Sequence, residues 1–307
     1  MVDHSGRIPP GHLDLLAAEG FYGLGSGGET RTEVARVVEE LATGCLTTAF
    51  VWLQHLGAVR AAAGTDHPGV REEWLDPLRR GQRRAGLAFG GLRPGPASLV
   101  AHPVPGGYRF DGTVPWVSGW RYVDCLLAAA RTPDDTIVWA LVDTGLTSGA
   151  SPTIDVEPVP LVAVDASDTV HLRLDAHPVP DSRVTGTLPY AQWPERDAAG
   201  LRLNGSLSLG VVSRCARLLD DPVFVERLDG CRTALDAAGP AEMPDARAAA
   251  ASLAVHASAA LMVATGADGV RRGGTAERLA REAQFLLVFG SRPGIRAGLT
   301  RRLTACG

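Results

Sequence analysis

Acid–base, metal or nucleophilic chemistry in this 307-residue chain would depend on histidine and serine side chains. His55 stands on a predicted apolar helix, where an imidazole could hold or relay a proton; packing at a domain seam is the alternative role. His171 and His177 flank a predicted strand, but no further ligand stands at a suitable spacing for a metal. Ser206 and Ser208 show no arrangement with histidine and aspartate, so nucleophilic catalysis is not predicted.

The predicted helices that would position His55 lie in the first part of the chain. Thr30 and Glu33 fit a capping box, and Val34, Val37, Val38 and Leu41 follow at helical spacing. A second apolar helix is predicted at about 46–62, and a third begins near 66–68, where a proline suits the first turn. The first part of the chain is therefore predicted to be helical.

Short apolar segments bounded by turn signals follow in residues 85–180, and they predict β-strands. Alternation at Val170, Leu172 and Leu174 is typical of a strand with one buried face. Several such strands in succession predict an antiparallel sandwich or barrel. The predicted strands are 85–89, 99–104, 108–110, 123–130, 137–142 and 170–174.

Helical patterns return in the last third of the chain, at 197–219, 222–238, 244–265, 275–289 and 294–303. The fold class is therefore α+β: an N-terminal helical domain (1–83), a central antiparallel β domain (84–192) and a C-terminal helical bundle (193–307). Strands and helices segregated in this way exclude a doubly wound dinucleotide fold, in which they would alternate. The alanine-rich run 247–264 suits the centre of a bundle.

Composition restricts the function classes. The formal charge of −4 argues against binding driven by nucleic-acid phosphates. The five cysteines form no C-x-x-C pair, which favours reduced thiols in a cytoplasmic protein. The N-terminus has no apolar run typical of a signal peptide, and no stretch was expected to reach the about 18 apolar residues that a membrane span requires.

The run from Gly107 to Trp120, with the apolar segment 123–131 after it, resembles a pattern of the acyl-CoA dehydrogenase superfamily. Gly112, Trp116 and Ser118 stand where that family has a turn glycine, a tryptophan and a threonine. Segments 63–81, 174–180, 201–219 and 277–291 resemble further family motifs in the same order. The resemblance implies a helix–sheet–helix fold, a homodimer or homotetramer, and FAD as cofactor.

The resemblance also implies roles for individual residues. Trp116 would form a flat wall for the flavin ring and Ser118 would place a hydroxyl near flavin N5. Flavin contacts are also expected from Gly90, Gly91, Gly290 and Ser291. Substrate contacts are expected from Arg93 and Phe289. His55 lies where a branch of flavin monooxygenases has a histidine that assists oxygen chemistry.

Three departures from the family pattern bear on function. The glutamate that usually removes the substrate proton is replaced by Phe289, and the alternative place for it, near 200–201, holds no carboxylate. The family's loop of hydroxyl and carboxylate residues is replaced by the run 90–97, which offers glycine N–H groups and Arg93. A family arginine that reaches the flavin diphosphate of a neighbouring subunit has no counterpart in 220–228.

Three hypotheses therefore follow from the sequence. The first is a flavin-dependent oxidoreductase that transfers hydride between a small or carrier-linked organic substrate and flavin, with a base at an unusual place. The second is a two-component flavin monooxygenase on the same fold, with His55 and Ser118 near the flavin peroxide. FMN, or reduced flavin supplied by a partner reductase, is the alternative to FAD as the cofactor. The third is a flavin-free relative that serves as a partner subunit or binding module.

Overall fold

The structure, a computed structural model, describes residues 2–145 and 151–304. Five helices come first, and the chain then crosses into a β-sheet. The helices are α1 (Val2–Ser5), α2 (Pro10–Ala18), α3 (Arg31–Gly44), α4 (Leu46–Gly64) and α5 (Pro68–Arg79). The predicted capping box is confirmed: the Thr30 hydroxyl accepts from the Glu33 N–H, and the Glu33 carboxylate accepts from the Thr30 N–H.

Eight strands form one twisted sheet in the order β6-β7-β3-β2-β4-β5-β8, with β1 paired to β4. Most pairs are antiparallel, as predicted, but β1 and β2 each pair with β4 in parallel. The sheet is therefore mixed, not purely antiparallel. The strands are β1 (Ala85–Ala88), β2 (Leu99–Val104), β3 (Gly107–Val117), β4 (Cys125–Arg131), β5 (Thr136–Asp143), β6 (Ile154–Pro158), β7 (Val170–Pro180) and β8 (Val184–Pro189).

Five further helices follow the sheet. They are α6 (Trp193–Leu219), α7 (Pro222–Ala237), α8 (Met243–Thr265), α9 (Thr275–Val288) and α10 (Pro293–Thr304). Helix α6 packs against both α3 and α8, and the N-terminal and C-terminal helices share one apolar core. The α, β, α order is confirmed, and the fold class is α+β. The division at residues 83 and 192 stays a prediction.

Helix α8 differs from the expectation that no segment is apolar enough to span a membrane. The segment Met243–Val270 is long and apolar enough to cross a membrane by length and composition alone. Half of its most apolar stretch of 18 residues is buried inside the protein, where α8 packs between α6, α9 and α10. The buried face carries alanines from the run that the sequence predicted at a bundle centre, so a core helix explains the composition.

Two arginines of α9 have different surroundings, and the first of them is Arg278. Its side chain is buried and donates to Glu282 one turn later. Burial raises the pKa of Glu282 to about 7. Arg281 instead pairs with Asp3 and Glu277, which ties α9 to the first helix of the chain.

Candidate functional site

A cleft of about 1920 Å³ lies where α4, the sheet, the start of α6 and the end of α9 meet. Small-molecule pockets usually measure about 300–1,000 Å³, so this cleft has room for more than one ligand. Seven of the nine residues that the sequence singled out line it: Gly90, Arg93, Trp116, Ser118, Phe289, Gly290 and Ser291. Gly91 and His55 do not.

Trp116 is at the end of β3, beside this cleft. Its side chain is 50% exposed, so the indole is not sealed inside the sheet. The register between β3 and β7 shifts between Val114 and Val117, and Trp116 has the left-handed φ of 63°. Such an irregularity re-aims a side chain away from the regular alternation of a strand. The Trp116 backbone N–H donates to His171 Nδ1 at 3.4 Å, and the two rings meet edge to face.

Ser118 is buried and brings a hydroxyl to the same cleft two residues later. Its Oγ lies 2.8 Å from the Thr169 hydroxyl, which lies 2.9 Å from the Ser167 hydroxyl. A hydroxyl group both donates and accepts, so this chain of three keeps Ser118 in one orientation while one of its hydrogen-bonding positions stays available. Sequence reasoning found Ser118 but missed Thr169, which also lines the cleft.

The turn Gly90–Leu92 lies directly against the strand that carries Trp116. A Cβ atom at Gly90 would come within 2.5 Å of the Pro115 carbonyl oxygen, so only glycine allows this approach. Gly90 and Arg93 line the cleft, as expected. Gly91 contributes instead to a neighbouring surface cavity of about 460 Å³, which shares Gly90 and Arg93 with the cleft. The flavin contact expected from Gly91 stays a prediction.

The segment 289–291 follows α9 and closes another wall of the cleft. Gly290 has a left-handed φ of 62°, which ends the helix as a glycine commonly does. The Phe289 ring lies 4.9 Å from the ring of Phe50 and stacks on that of Phe285 at 5.5 Å. The place of the family's usual glutamate is thus an aromatic wall, which cannot accept a proton.

His55 does not reach the cleft. It is only 1% exposed, and both ring nitrogens are hydrogen-bonded to backbone: Nε2–H donates to the Leu78 carbonyl at 3.0 Å, and Nδ1 accepts from the Ala85 N–H at 3.0 Å. Burial lowers the pKa of this imidazole to about 3. The structure therefore favours the alternative role of packing at a seam between helix and sheet, and the catalytic role of His55 stays a prediction without support from this geometry.

Sequence reasoning missed an ion pair in the cleft. Both carboxylate oxygens of Asp197, in the first turns of α6, accept from the guanidinium of Arg292 in the loop after α9. A two-point arginine–carboxylate contact fixes geometry as well as charge. The pair therefore holds the loop that contains Gly290 and Ser291 against α6. The two residues are 95 positions apart, and no local pattern in the sequence connects them.

No metal site was expected, and the described part of the chain brings no three histidine, cysteine or acidic side chains together in a metal-binding cluster. The two histidines that flank β7 have other contacts. His171 Nδ1 accepts from the Trp116 backbone, and His177 Nδ1 is 2.8 Å from the Thr153 hydroxyl.

Solved structures with this architecture are acyl-CoA dehydrogenases and related proteins. Butyryl-CoA dehydrogenase from Megasphaera elsdenii has a TM-score of 0.82 at 15% identity, over 98% of this chain and 91% of that one. A glutaryl-coenzyme A dehydrogenase in complex with glutaryl-CoA has a TM-score of 0.82 at 16% identity, over 97% and 88%. PigA with FAD and proline has a TM-score of 0.80 at 17% identity, over 99% and 92%.

No protein-family model and no curated protein matches the chain. At these identities the similarity to solved structures establishes the fold. It extends over nearly the whole chain and includes all three parts of the α, β, α order. This chain therefore has the acyl-CoA dehydrogenase fold, as the resemblance of its sequence motifs predicted.

Proposed function

We propose that this protein is a flavin-dependent oxidoreductase that binds FAD in the large cleft and oxidises or reduces a small or carrier-linked organic substrate there. The observation that carries the proposal is the position of Trp116: a half-exposed indole, beside the Ser118 hydroxyl, on the wall of a cleft large enough for a flavin and a second ligand. The complexes of PigA with FAD and of a glutaryl-CoA dehydrogenase with FADH2, both on this fold, support the proposal.

The chemistry of the cleft fits a flavin nucleotide. An isoalloxazine ring needs a flat apolar face and a few hydrogen-bond donors, which Trp116 and Ser118 would supply. A diphosphate needs cations, and five exposed arginines line the cleft besides the paired Arg292. They are Arg31, Arg60, Arg93, Arg196 and Arg296. Of these, Arg31, Arg60 and Arg296 would offer cations for a diphosphate within this chain, although the family's partner-subunit arginine has no counterpart here.

The chain's own residues would bind and orient the ligands, and a bound flavin would supply a two-electron acceptor. Ser118, held by Thr169, would donate a hydrogen bond to the ring. Phe289 would exclude water from the reacting face. A proton acceptor would come from the carboxylates that line the cleft in the described residues, Asp66, Asp181 and Asp197. Of these, Asp197 is the one that the two-point contact with Arg292 holds in a fixed orientation.

The monooxygenase hypothesis depended on a histidine beside the flavin. Because His55 is buried with both nitrogens hydrogen-bonded, that support is lost, and hydride transfer is the better-founded reaction class. FAD is preferred to FMN because the arginines of the cleft suit a diphosphate.

Substitution of the indole tests the proposed ring site. Trp116→Ala should weaken FAD binding at least ~10-fold, because an aromatic stacking surface contributes about 0.5–1.5 kcal/mol beyond its buried area. Trp116→Phe keeps a flat ring and should restore most of the affinity. Both variants keep the left-handed backbone of this position, so a loss confined to alanine reports on the ring. Equal FAD affinity in wild type and Trp116→Ala, measured by quenching of flavin fluorescence, would refute the placement.

A further inference from the structure

Three aromatic side chains form a second wall of the cleft. Phe89 directly follows β1, Trp139 lies in β5, and Trp193 is the first residue of α6. We refer to these three as the aromatic trio. The ring centroids of Phe89 and Trp139 are 4.6 Å apart, those of Trp139 and Trp193 are 5.3 Å apart, and those of Phe89 and Trp193 are 6.2 Å apart.

The trio packs on one side against a small buried cluster, Leu92, Ala129 and Ile137, and faces the cleft on the other. All three side chains are partly exposed and line the cleft. By contrast, Trp52 and Trp74 are fully buried. Apolar rings that remain open to a cavity, with edge-to-face neighbours holding them, are typical of ligand sites for flat apolar groups.

The space beside Trp139 is open because its neighbour across the sheet has no side chain. Trp139 pairs with Gly186 of β8, and directly opposed residues on paired strands point to the same face. A Cβ atom at Gly186 would have nothing within 4 Å, and the same is true at Gly200 on α6. Both glycines line the cleft. The sequence therefore leaves a gap next to the trio where a ligand ring could lie.

Two arginines stand next to the trio in the chain. Arg93 closely follows Phe89, and Arg196 is one helical turn after Trp193. Both are exposed and line the cleft, and neither joins an ion pair with a carboxylate of residues 2–145 or 151–304. The Tyr190 hydroxyl lies 3.3 Å from the Leu92 and Arg93 carbonyl oxygens, to which it donates, and thereby fixes the turn that presents Arg93.

We propose that the aromatic trio, Gly186, Arg93 and Arg196 form a substrate subsite for a planar aromatic ring attached to an anionic group. A reaction at this subsite rests on the proposed function, whereas binding of the aromatic ligand does not. The anion has two chemical sources: the carboxylate of a free aromatic acid, or the phosphates of a pantetheine carrier that holds the aromatic acyl group as a thioester. In both cases the ring lies against the trio and the negative charge lies near the arginines.

Calorimetric titration of the full chain with 3-phenylpropionate, 3-cyclohexylpropionate and 3-phenylpropionyl-CoA tests the class of ligand. The two acids carry the same charge and differ in the flatness and π-surface of the ring. Phenylpropionate should bind at least ~5-fold more tightly than its cyclohexyl counterpart, because the trio offers aromatic contacts to one and only apolar area to the other. Tighter binding of the thioester than of the free acid would indicate the carrier-linked source, and the reverse would indicate the free acid.

A variant that fills the gap beside Trp139 tests the subsite more sharply. Gly186→Leu places a side chain in the open space beside Trp139 without the strain of a positive φ, and it should weaken binding of the aromatic probes at least ~10-fold by occluding the ring site. Gly230→Leu is the matched control, since Gly230 on α7 also has nothing within 4 Å and does not line the cleft. Arg93→Gln with Arg196→Gln should weaken binding of both free acids and leave the preference for the phenyl ring intact.

FAD affinity measured in the same proteins separates the two proposals. The subsite is supported if the Gly186→Leu variant no longer binds the aromatic probes but still binds FAD. A wild-type chain that binds phenylpropionate selectively but binds no flavin would refute the proposed function and leave the subsite standing. Equal affinity for the phenyl and cyclohexyl acids, or unchanged aromatic binding in Gly186→Leu, would overturn the subsite.

Discussion

At the scale of single residues, burial determines what His55 can do. The side chain joins the Leu78 carbonyl to the Ala85 N–H and therefore connects α4, the end of α5 and β1. Its replacement by alanine leaves the buried Ala85 N–H without this acceptor, which costs about 1–3 kcal/mol, whereas the Leu78 carbonyl still accepts from the Gly81 N–H. His55→Ala should therefore lower the free energy of unfolding by about 1–3 kcal/mol in chemical denaturation. A loss below about 1 kcal/mol would contradict this structural role.

The same histidine predicts a pH dependence of stability. Burial lowers the pKa of His55 from the ordinary 6.5 to about 3 in the folded protein, while the unfolded chain keeps the ordinary value. The unfolded state therefore binds the proton more readily between these pH values. The stability contributed by the neutral imidazole is complete above pH 6.5 and is lost as the pH falls, by about 1.4 kcal/mol per pH unit from this group.

Denaturation profiles between pH 7 and pH 4 should show this loss in wild type and a flatter slope in His55→Gln, which has no titrating ring. His256→Gln, at an exposed position on α8, is the matched control. An unchanged slope in His55→Gln would show that other groups cause the acid sensitivity.

Motifs that resemble the acyl-CoA dehydrogenase pattern pointed to Trp116 and Ser118, because the run from Gly107 to Trp120 contains both residues. They could not show which nitrogens of His55 are engaged, since its partners are 23 and 30 positions away. The partners that position the site were missed for the same reason. Thr169 is 51 positions from Ser118, and Asp197 is 95 from Arg292.

At the scale of elements, helix α6 depends on two glycines with opposite surroundings. A Cβ at Gly210 would come within 2.5 Å of the Ala42 Cβ and within 2.6 Å of the Glu39 carbonyl oxygen, because α3 crosses α6 there. Gly210→Ala should therefore destabilise the protein by about 1–3 kcal/mol, although alanine favours a helix. Gly200→Ala, on the same helix with nothing within 4 Å, should stabilise it by about 0.5–1 kcal/mol.

Thermal or chemical unfolding of the two variants distinguishes packing from helix propensity. Opposite signs are expected. A stabilising Gly210→Ala would mean that α3 and α6 do not approach as closely as the structure shows.

Helices were predicted more completely than strands. The five C-terminal helices lie within a few residues of the predicted bounds, because their apolar residues recur over long segments. Strands β6 and β8 were missed. Both lie at edges of the sheet, are short and contain proline, and β8 also contains Gly186. An edge strand is largely exposed, so its sequence shows little alternation.

At the scale of the whole molecule, the cleft arises from segments that are far apart in the chain. Phe50 on α4 touches Phe289 after α9, and Trp139 on β5 touches Trp193 on α6. The family resemblance assigned ligand contacts to Trp116 in the sheet and to Phe289 after the C-terminal helix α9, and both residues line the cleft. The aromatic trio and the charge of the cleft required the structure, because neither belongs to a local motif.

Self-association as a homodimer or homotetramer stays a prediction. Val263 and Val270, at the end of α8 and in the turn after it, are 82% and 73% exposed. Exposed apolar side chains mark an interface only where they form a contiguous patch, so the expectation of an oligomer rests on the family resemblance. Light scattering should give a mass of two or four times 32.2 kDa. A monomer at micromolar concentration would contradict the expectation.

The central claim is that the cleft beside Trp116 holds a flavin. The most direct measurement is the visible absorbance of the protein after incubation with FAD and removal of free FAD by gel filtration. The account predicts a yellow protein with nearly one flavin per chain, and a clearly lower ratio for Trp116→Ala. A colourless protein after incubation with FAD, FMN and their reduced forms would contradict it and leave only the fold.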